Sequence, residues 1–166
     1  MTDRRYRVAQ WGTGNVGMRA LAAIIEHPAM DLAALRVFSA EKVGQDAGAL
    51  CGKAPLGVPA AGDIDAVIAA SPDCAVYMPN QANIDDMCAL LEAGISIATA
   101  CVGFNHRDSI PRDDRVRLED ACAKGRSSLY ATGSSPGWIT ELVPLAMLNM
   151  QRRLDRYIIT DYADMA

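Results

Sequence analysis

A glycine pattern near the amino terminus constrains the fold of this chain more than any other feature. An apolar run that ends at Trp11 is followed by Gly12, Gly14 and Gly17 in the order G-x-G-x-x-G, and apolar residues then recur at helical spacing. A strand, a tight turn and a helix start bring backbone N–H groups and the positive end of a helix dipole to one place, where a pyrophosphate binds.

Each glycine of this pattern has a predicted role. Gly12 permits the sharp turn, Gly14 lets the backbone approach the phosphates, and Gly17 lets the helix pack closely on the strand. A glycine-rich turn without a ligand is the alternative, and the strand and helix around the pattern favour the phosphate-binding interpretation.

Strands and helices alternate along the chain with short connections. The predicted strands cover residues 5–11, 32–38, 74–78, 95–99 and 128–131, with a short edge strand at 58–60. The predicted helices after the first cover residues 46–50, 64–70, 84–93, 113–124 and 138–151. Asp63 and Asn83 are expected to cap the helices 64–70 and 84–93, and Gly94 and Gly125 are expected to follow the last residues of the helices 84–93 and 113–124.

This alternation predicts an α/β fold, a doubly wound parallel sheet of the Rossmann type that binds NAD(P). The carboxyl ends of the strands then share one rim, where ligands bind. The loops expected at that rim cover residues 12–17, 38–42, 79–80, 100–106 and 133–137.

The residues at the end of the second strand indicate whether the cofactor is NAD(H) or NADP(H). An acidic residue about 20 residues beyond the glycines binds a ribose 2′-hydroxyl, whereas a neutral residue beside a basic one suits a 2′-phosphate. Here Ser39 follows the strand, with Arg36 shortly before it and Lys42 shortly after it. The pattern therefore favours NADP(H) over NAD(H), while Glu41 remains the alternative as a ribose carboxylate.

Composition excludes several classes of function. The chain has 166 residues, of which 51% are hydrophobic, and these proportions are typical of a packed domain of ordinary size. A net charge of -4 argues against a nucleic-acid surface, which needs a basic stripe. Five scattered cysteines without a C-x-x-C pair argue for reduced thiols and against a metal site, and no segment resembles a signal peptide or a membrane span. We therefore expect a cytoplasmic protein without a membrane segment.

The last residues predict a separate element. Residues 156–164 have the alternation of a strand, and a single strand cannot bury its own face. It joins the sheet of this domain, pairs with another chain, or begins a second domain that this sequence lacks. We favour the last alternative, which divides the chain into a dinucleotide-binding Rossmann domain over 1–151 and a terminal strand over 152–166.

Four separated segments resemble a known group of enzymes. They cover residues 6–17, 42–48, 76–79 and 131–141. These segments are similar to the N-terminal domain of the dihydrodipicolinate-reductase-like family, in the actinobacterial branch related to 2,4-diaminopentanoate dehydrogenase and the NAD(P)H-dependent amine dehydrogenases. The resemblance implies hydride transfer to or from a C–N bond, a small amine or imine substrate, a further substrate and oligomerisation domain, and a homo-oligomer.

The resemblance also implies a set of cofactor-binding residues. Those expected at the pyrophosphate are Gly12, Thr13, Gly14, Asn15, Val16 and Gly17. Ser39, with Arg36 or Lys42, is expected near the adenosine ribose. Those expected near the nicotinamide are Pro79, Asn80, Cys101 and the loop 133–136, including Gly133 and Ser134.

One departure from the family concerns the catalytic group. Related amine dehydrogenases have a Glu in the loop after the strand 95–99, where a carboxylate handles the amine proton. In this chain the matching position is Gly103, which carries no proton donor. His106 or Glu141 is the candidate substitute, so the catalytic acid or base stays unassigned. The alternative is a non-catalytic nucleotide-binding or interaction module, or an inactive fragment of such an enzyme.

Overall fold

The computed structural model of the chain describes residues 4–160 and 162. The chain forms two compact units, Met1–Ala131 and Thr132–Ala166. The strands of the first unit are β1 (Tyr6–Trp11), β2 (Met30–Arg36), β3 (Ala60–Ala61), β4 (Cys74–Tyr77), β5 (Ser96–Thr99) and β6 (Leu129–Ala131). Its α-helices are α1 (Asn15–Glu26), α2 (Ala47–Leu50), α3 (Ile64–Ala69), α4 (Ile84–Glu92) and α5 (Arg112–Gly125).

The six strands form one parallel sheet in the order β3-β2-β1-β4-β5-β6. The chain moves outward from β1 to β3, returns to the other side of β1, and moves outward again to β6. The switch point between β1 and β4 is where doubly wound sheets open a crevice for a ligand. The predicted α/β fold with a parallel sheet is confirmed.

Two apolar clusters cover the two faces of this sheet. Ala34 and Leu35 are neighbours in β2 and enter different clusters, because successive side chains of a strand point to opposite faces. One cluster contains Trp11 and Tyr77, whose rings stack at 5.5 Å, together with buried residues of α3, α4 and α5. The other contains Leu21 of α1, whose complete burial contributes about 1.5–3 kcal/mol.

The helix caps predicted from the sequence are confirmed. The Asp63 carboxylate accepts a hydrogen bond from the Ala66 N–H at 2.8 Å, and the Asn83 side chain accepts from the N–H groups of Asp85 and Asp86. These bonds satisfy backbone donors that have no partner within the first turn of a helix.

Gly125 differs from its predicted role. It is the last residue of α5, and the left-handed conformation that ends the helix belongs to Arg126, with φ of 51°. A Cβ atom at Gly125 would lie 1.8 Å from the carbonyl oxygen of Leu91 in α4. The close contact between α4 and α5 therefore explains this glycine, and a positive φ does not.

The second unit contains an irregular helical segment, Ser134–Leu142, followed by α6 (Val143–Leu148). Ser135, Pro136 and Gly137 have non-helical backbone angles, and all three precede the predicted helix start at residue 138. The helix ends at Leu148, three residues before the predicted end at 151.

The predicted terminal strand is not formed in the described part of its range, 156–160 and 162, where no neighbouring strand pairs with it. Residues 161, 163 and 164 of that prediction lie outside the described residues. The two compact units divide after Ala131. The division into a Rossmann domain over 1–151 and the start of a second domain at residue 152 stays a prediction.

The length and hydropathy of the helices determine whether any of them could cross a membrane. Among the helices that the structure describes, none is both long enough and apolar enough to span a bilayer.

Candidate nucleotide-binding site

The turn between β1 and α1 has the geometry that its glycines predict. Gly12 has a φ of 93°, which favours glycine, and its N–H donates to the Arg36 carbonyl at 2.9 Å. The buried side chain of Gln10 lies below this turn and donates from Nε2 to the Gly12 carbonyl at 2.9 Å. Gln10, which the sequence analysis missed, therefore holds the turn from inside the sheet.

Gly14 and Gly17 have different surroundings. A Cβ at Gly17 would lie 2.3 Å from the Gly12 carbonyl oxygen, so only glycine lets α1 pack this closely on the turn. A Cβ at Gly14 would meet no atom within 4 Å, and no side chain caps the helix that starts after it. The open space beside Gly14 and the free N–H groups of a helix start together fit a phosphate.

Two adjoining cavities meet at this turn. The larger one has a volume of about 570 Å³ and is lined by Gly14, Asn15, Val16, Met78, Pro79, Asn80, Ala100, Cys101 and Val102. The other has a volume of about 490 Å³ and is lined by Gly12, Thr13, Gly14, Phe38, Met78, Pro79, Asn80 and Gln81. Both lie at the carboxyl ends of the strands, one on each side of the glycine turn, in the arrangement that an elongated ligand requires.

The cavities bring together many of the predicted residues. Gly12 to Val16, Pro79, Asn80 and Cys101 all line them, and Gly17 lies directly behind the turn. Phe38, Ala100 and Val102 belong to loops that the sequence places at the rim, without being predicted as cofactor contacts, whereas Met78 and Gln81 were missed as lining residues. Their position in the loops that follow β2, β4 and β5 was the available signal, since every such loop reaches the same rim.

The residues after β2 form a polar group beside the smaller cavity. The Ser39 hydroxyl donates to Glu41 Oε1 at 2.9 Å. The Lys42 ammonium donates to Thr13 Oγ1 at 3.3 Å and therefore contacts the glycine turn directly. Ser39, Glu41 and Lys42 line neither cavity, and Lys42 reaches the smaller one through Thr13, which does line it.

Arg36 is oriented differently from these residues. Its guanidinium lies 4.9 Å from the centre of the Phe38 ring and 5.7 Å from that of Trp11, and it donates to the Val37 carbonyl. Arg36 does not line either cavity. Cation–π contacts with the two aromatic rings account for its position, and its predicted contact with a 2′-phosphate stays a prediction.

Cys101 lies on the opposite side of the site, in the wall of the larger cavity. Its thiol is buried and donates to the Pro79 carbonyl at 3.2 Å. Burial raises the pKa of the Cys101 thiol above its ordinary value, so the group stays protonated near neutral pH. It acts here as a hydrogen-bond donor and not as a nucleophile.

The catalytic candidates lie away from both cavities or in the second unit. His106 is exposed and lines neither cavity; its Nδ1 accepts from the Asp108 N–H at 3.3 Å, which caps a short 3₁₀ turn, Arg107–Ser109. Gly103 has a φ of 97°, a conformation that a Glu side chain strongly disfavours. Gly133, Ser134 and Glu141 belong to the second unit.

Comparisons with known proteins agree with this geometry. No protein-family model matches the chain. The sequence is 37% identical over 154 residues to an amine dehydrogenase from Streptomyces virginiae, in an alignment that covers 87% of this chain and 42% of that protein. The structure of an amine dehydrogenase from Mycobacterium smegmatis superposes with a TM-score of 0.77 at 21% identity, covering 90% of this chain and 45% of the other.

A neighbour with a lower TM-score was solved as a complex with two ligands. The WlbA dehydrogenase from Bordetella pertussis, in complex with NADH and UDP-GlcNAcA, superposes with a TM-score of 0.57 at 17% identity over 80% of this chain and 36% of that one. This chain spans less than half the length of each of these three proteins. The chain is thus similar in sequence to part of an amine dehydrogenase, and its fold is the Rossmann fold of the solved neighbours.

Proposed function

We propose that this chain is the cofactor-binding domain of an NAD(P)-dependent oxidoreductase that acts on a C–N bond. The observation that carries the proposal is the open space beside Gly14 at the start of α1, between the two cavities. A diphosphate in that space is held by backbone N–H groups and the helix dipole, and its two nucleosides extend to opposite sides.

Each part of the site has a separate task in this proposal. Gly12 to Gly17 bind the diphosphate, and Ser39 and Lys42 lie on the adenosine side. Pro79, Asn80 and Cys101 form the wall on the nicotinamide side. The bound nicotinamide supplies or accepts the hydride, while the protein places it and shapes the cavity around it.

The reaction class is inferred from the similarity to an amine dehydrogenase. Imine reduction and amine oxidation are the two directions of such a reaction, with a small amine or imine as substrate and a homo-oligomer as the assembly. Gly103 favours the second candidate, a nucleotide-binding module without turnover, since this position lacks a carboxylate. Loss of NADPH absorbance in the presence of carbonyl compounds and ammonia distinguishes the enzyme from the module.

Calorimetric titration with NADPH and NADH tests cofactor binding. We expect the wild type to bind, and Gly14→Asp to weaken binding at least 10-fold because its carboxylate is placed beside the diphosphate, which corresponds to about 1.4 kcal/mol. Ala123→Asp, on the exposed surface of α5, adds the same charge away from the site and serves as the control. A wild type that binds neither nucleotide contradicts the proposal, as does unchanged binding by Gly14→Asp.

We further propose that the site prefers NADP(H). The cation of Lys42 and the hydroxyl of Ser39 suit a 2′-phosphate, while Glu41 opposes one by charge repulsion. Lys42→Ala is expected to weaken NADPH about 10-fold and NADH much less, and Glu41→Gln to strengthen NADPH. If Glu41 instead binds the ribose 2′-hydroxyl, Glu41→Gln weakens NADH, and a wild type that prefers NADH more than 10-fold rejects the NADP(H) preference.

A further inference from the structure

The hydroxyl of Thr99 joins two neighbouring strand ends below the larger cavity. Thr99 is the last residue of β5, is 1% exposed and pairs in register with Tyr77, the last residue of β4. Its Oγ1 donates to the Tyr77 carbonyl at 2.7 Å and accepts from the Cys101 N–H at 3.0 Å. One side chain therefore connects the end of β4 with the loop that follows β5.

A second bond connects the loops beyond these strands. The Cys101 thiol donates to the Pro79 carbonyl at 3.2 Å, and Cys101 is 6% exposed. Residues 77–79 are thus linked twice to Cys101, once through the Thr99 hydroxyl at Tyr77 and once through the Cys101 thiol at Pro79. Both loops line the larger cavity, which Gly14, Asn15 and Val16 line as well. The two links therefore fix the relative positions of two loops in the wall of that cavity.

The sheet order identifies which end of the cofactor this wall faces. The glycine turn follows β1, and Ser39 and Lys42 follow β2 on one side of it. Strands β4 and β5 lie on the other side of β1, and the loops that follow them line the larger cavity. A dinucleotide that crosses the switch point with its adenosine over β2 places its nicotinamide against these loops.

We propose that Thr99 is a positioning residue for the nicotinamide end of the cofactor, acting through the two loops that its hydroxyl joins. The inference rests on the proposed function and deepens it. Thr99 itself is buried and lines neither cavity, so it acts by holding the Tyr77 carbonyl and the Cys101 N–H in place.

The test compares a complete cofactor with a fragment that lacks the nicotinamide. Thr99→Val keeps the shape of the side chain and removes both hydrogen bonds. We expect this variant to bind NADPH about 10-fold more weakly than the wild type and to bind 2′-phospho-ADP-ribose within about 2-fold of it. The change in NADPH fluorescence on binding, which reports the surroundings of the nicotinamide, is expected to diminish. Thr99→Ser retains the hydroxyl and is expected to restore both readouts.

Several results overturn the inference. These are an equal loss of affinity for both ligands, no loss for NADPH, and a wild type that binds the fragment as tightly as NADPH. If Thr99→Val does not fold, Thr99→Ala removes the same hydroxyl with a smaller side chain, and a loss confined to NADPH is again expected. A wild type that binds neither ligand overturns the proposed function itself, which distinguishes that failure from the failure of the inference.

Discussion

Gly14 and Gly17 lie three residues apart, yet an added methyl group meets different surroundings at each. At Gly17 it lies 2.3 Å from the Gly12 carbonyl oxygen, and at Gly14 it lies in open space with a φ of -74°, which any residue adopts. Gly17 therefore serves the packing of the fold, whereas Gly14 leaves space for a ligand. Single substitutions therefore separate the two roles.

We predict that Gly17→Ala destabilises the fold by about 1–3 kcal/mol, because overpacking against a backbone carbonyl outweighs the better helix propensity of alanine. Gly14→Ala is the matched control, and its free energy of unfolding is expected to change by less than about 1 kcal/mol. Urea denaturation of the three proteins measures both values. A Gly17→Ala variant as stable as the wild type contradicts the packing assigned to this residue.

The sequence predicts the roles of some residues better than those of others. The roles of Gly12, Gly14 and Gly17 follow from neighbours within the same turn, so a local pattern was sufficient. The contact between Thr99 and the Tyr77 carbonyl joins residues 22 positions apart, and no local pattern indicates it. The stacking of Arg36 on Phe38 was missed for a related reason, since a strand-end arginine suits a phosphate and an aromatic ring equally well.

Among the elements, the contact of α4 with α5 depends most on a single residue. A Cβ at Gly125 would lie 1.8 Å from the Leu91 carbonyl oxygen and 2.9 Å from the Gly94 nitrogen. Both are backbone atoms at the end of α4, and the Ser127 hydroxyl donates to the same Leu91 carbonyl at 2.8 Å. The two helices cannot keep this separation with any larger residue at position 125.

Gly125→Ala is expected to destabilise the first unit by about 3 kcal/mol and to lower Tm by roughly 6–12 °C. Asp120→Ala, on the exposed face of the same helix, is the control and is expected to stay close to the wild type. Differential scanning calorimetry measures the shift. Equal Tm values for the two variants contradict the helix contact described here.

The elements of the first unit were largely predictable because each has a clear local signal. Asp63 and Asn83 mark helix starts, and the strands are continuous apolar runs. In the second unit the predicted helix start at Trp138 agrees with the backbone, because the non-helical angles are confined to Ser135, Pro136 and Gly137 in the preceding loop. The predicted end at residue 151 is too late, since α6 ends at Leu148, and no proline or glycine in the sequence marks that end.

For the molecule as a whole, acid sensitivity depends in part on Asp73. Its carboxylate accepts hydrogen bonds from the Arg7 N–H at 2.8 Å and from the Arg4 guanidinium at 2.9 Å, at the amino ends of β1 and β4. The backbone hydrogen bond from Arg7 lowers the pKa of Asp73 below its ordinary value of 3.8, and the nearby Arg4 adds to this effect. A carboxyl group with a lowered pKa stabilises the folded state at neutral pH, and this contribution disappears as the pH falls through the folded-state value.

Asp73→Asn is therefore expected to reduce the free energy of unfolding at pH 7 by about 1 kcal/mol or less, since the group is partly exposed. The difference from the wild type is expected to shrink as the pH falls below about 3.8, where the carboxylate becomes protonated. Urea titrations across the acid range measure it, with the exposed substitution Asp120→Asn as control. A difference that does not depend on pH rules out the ionised carboxylate as its source.

The global arrangement was predictable to the level of the sheet and its rim. The order of strands and helices specifies a doubly wound sheet, and this places the loops after β1, β2, β4 and β5 at one edge. The volume and lining of the cavities depend on side-chain packing and loop conformation, which the sequence pattern does not contain. His106 illustrates this limit: it belongs to a loop of the correct edge, but its imidazole caps a turn and lines neither cavity.

Both groups that Thr99 bonds, the Tyr77 carbonyl and the Cys101 N–H, belong to the main chain. This connection is therefore independent of the side chains that the adjoining loops carry. Positions such as Asn80 and Val102 can change without loss of the bonds that Thr99 makes. The lining of the larger cavity can thus be altered while the hydrogen bonds beneath it are preserved, which makes these two positions suitable for engineering.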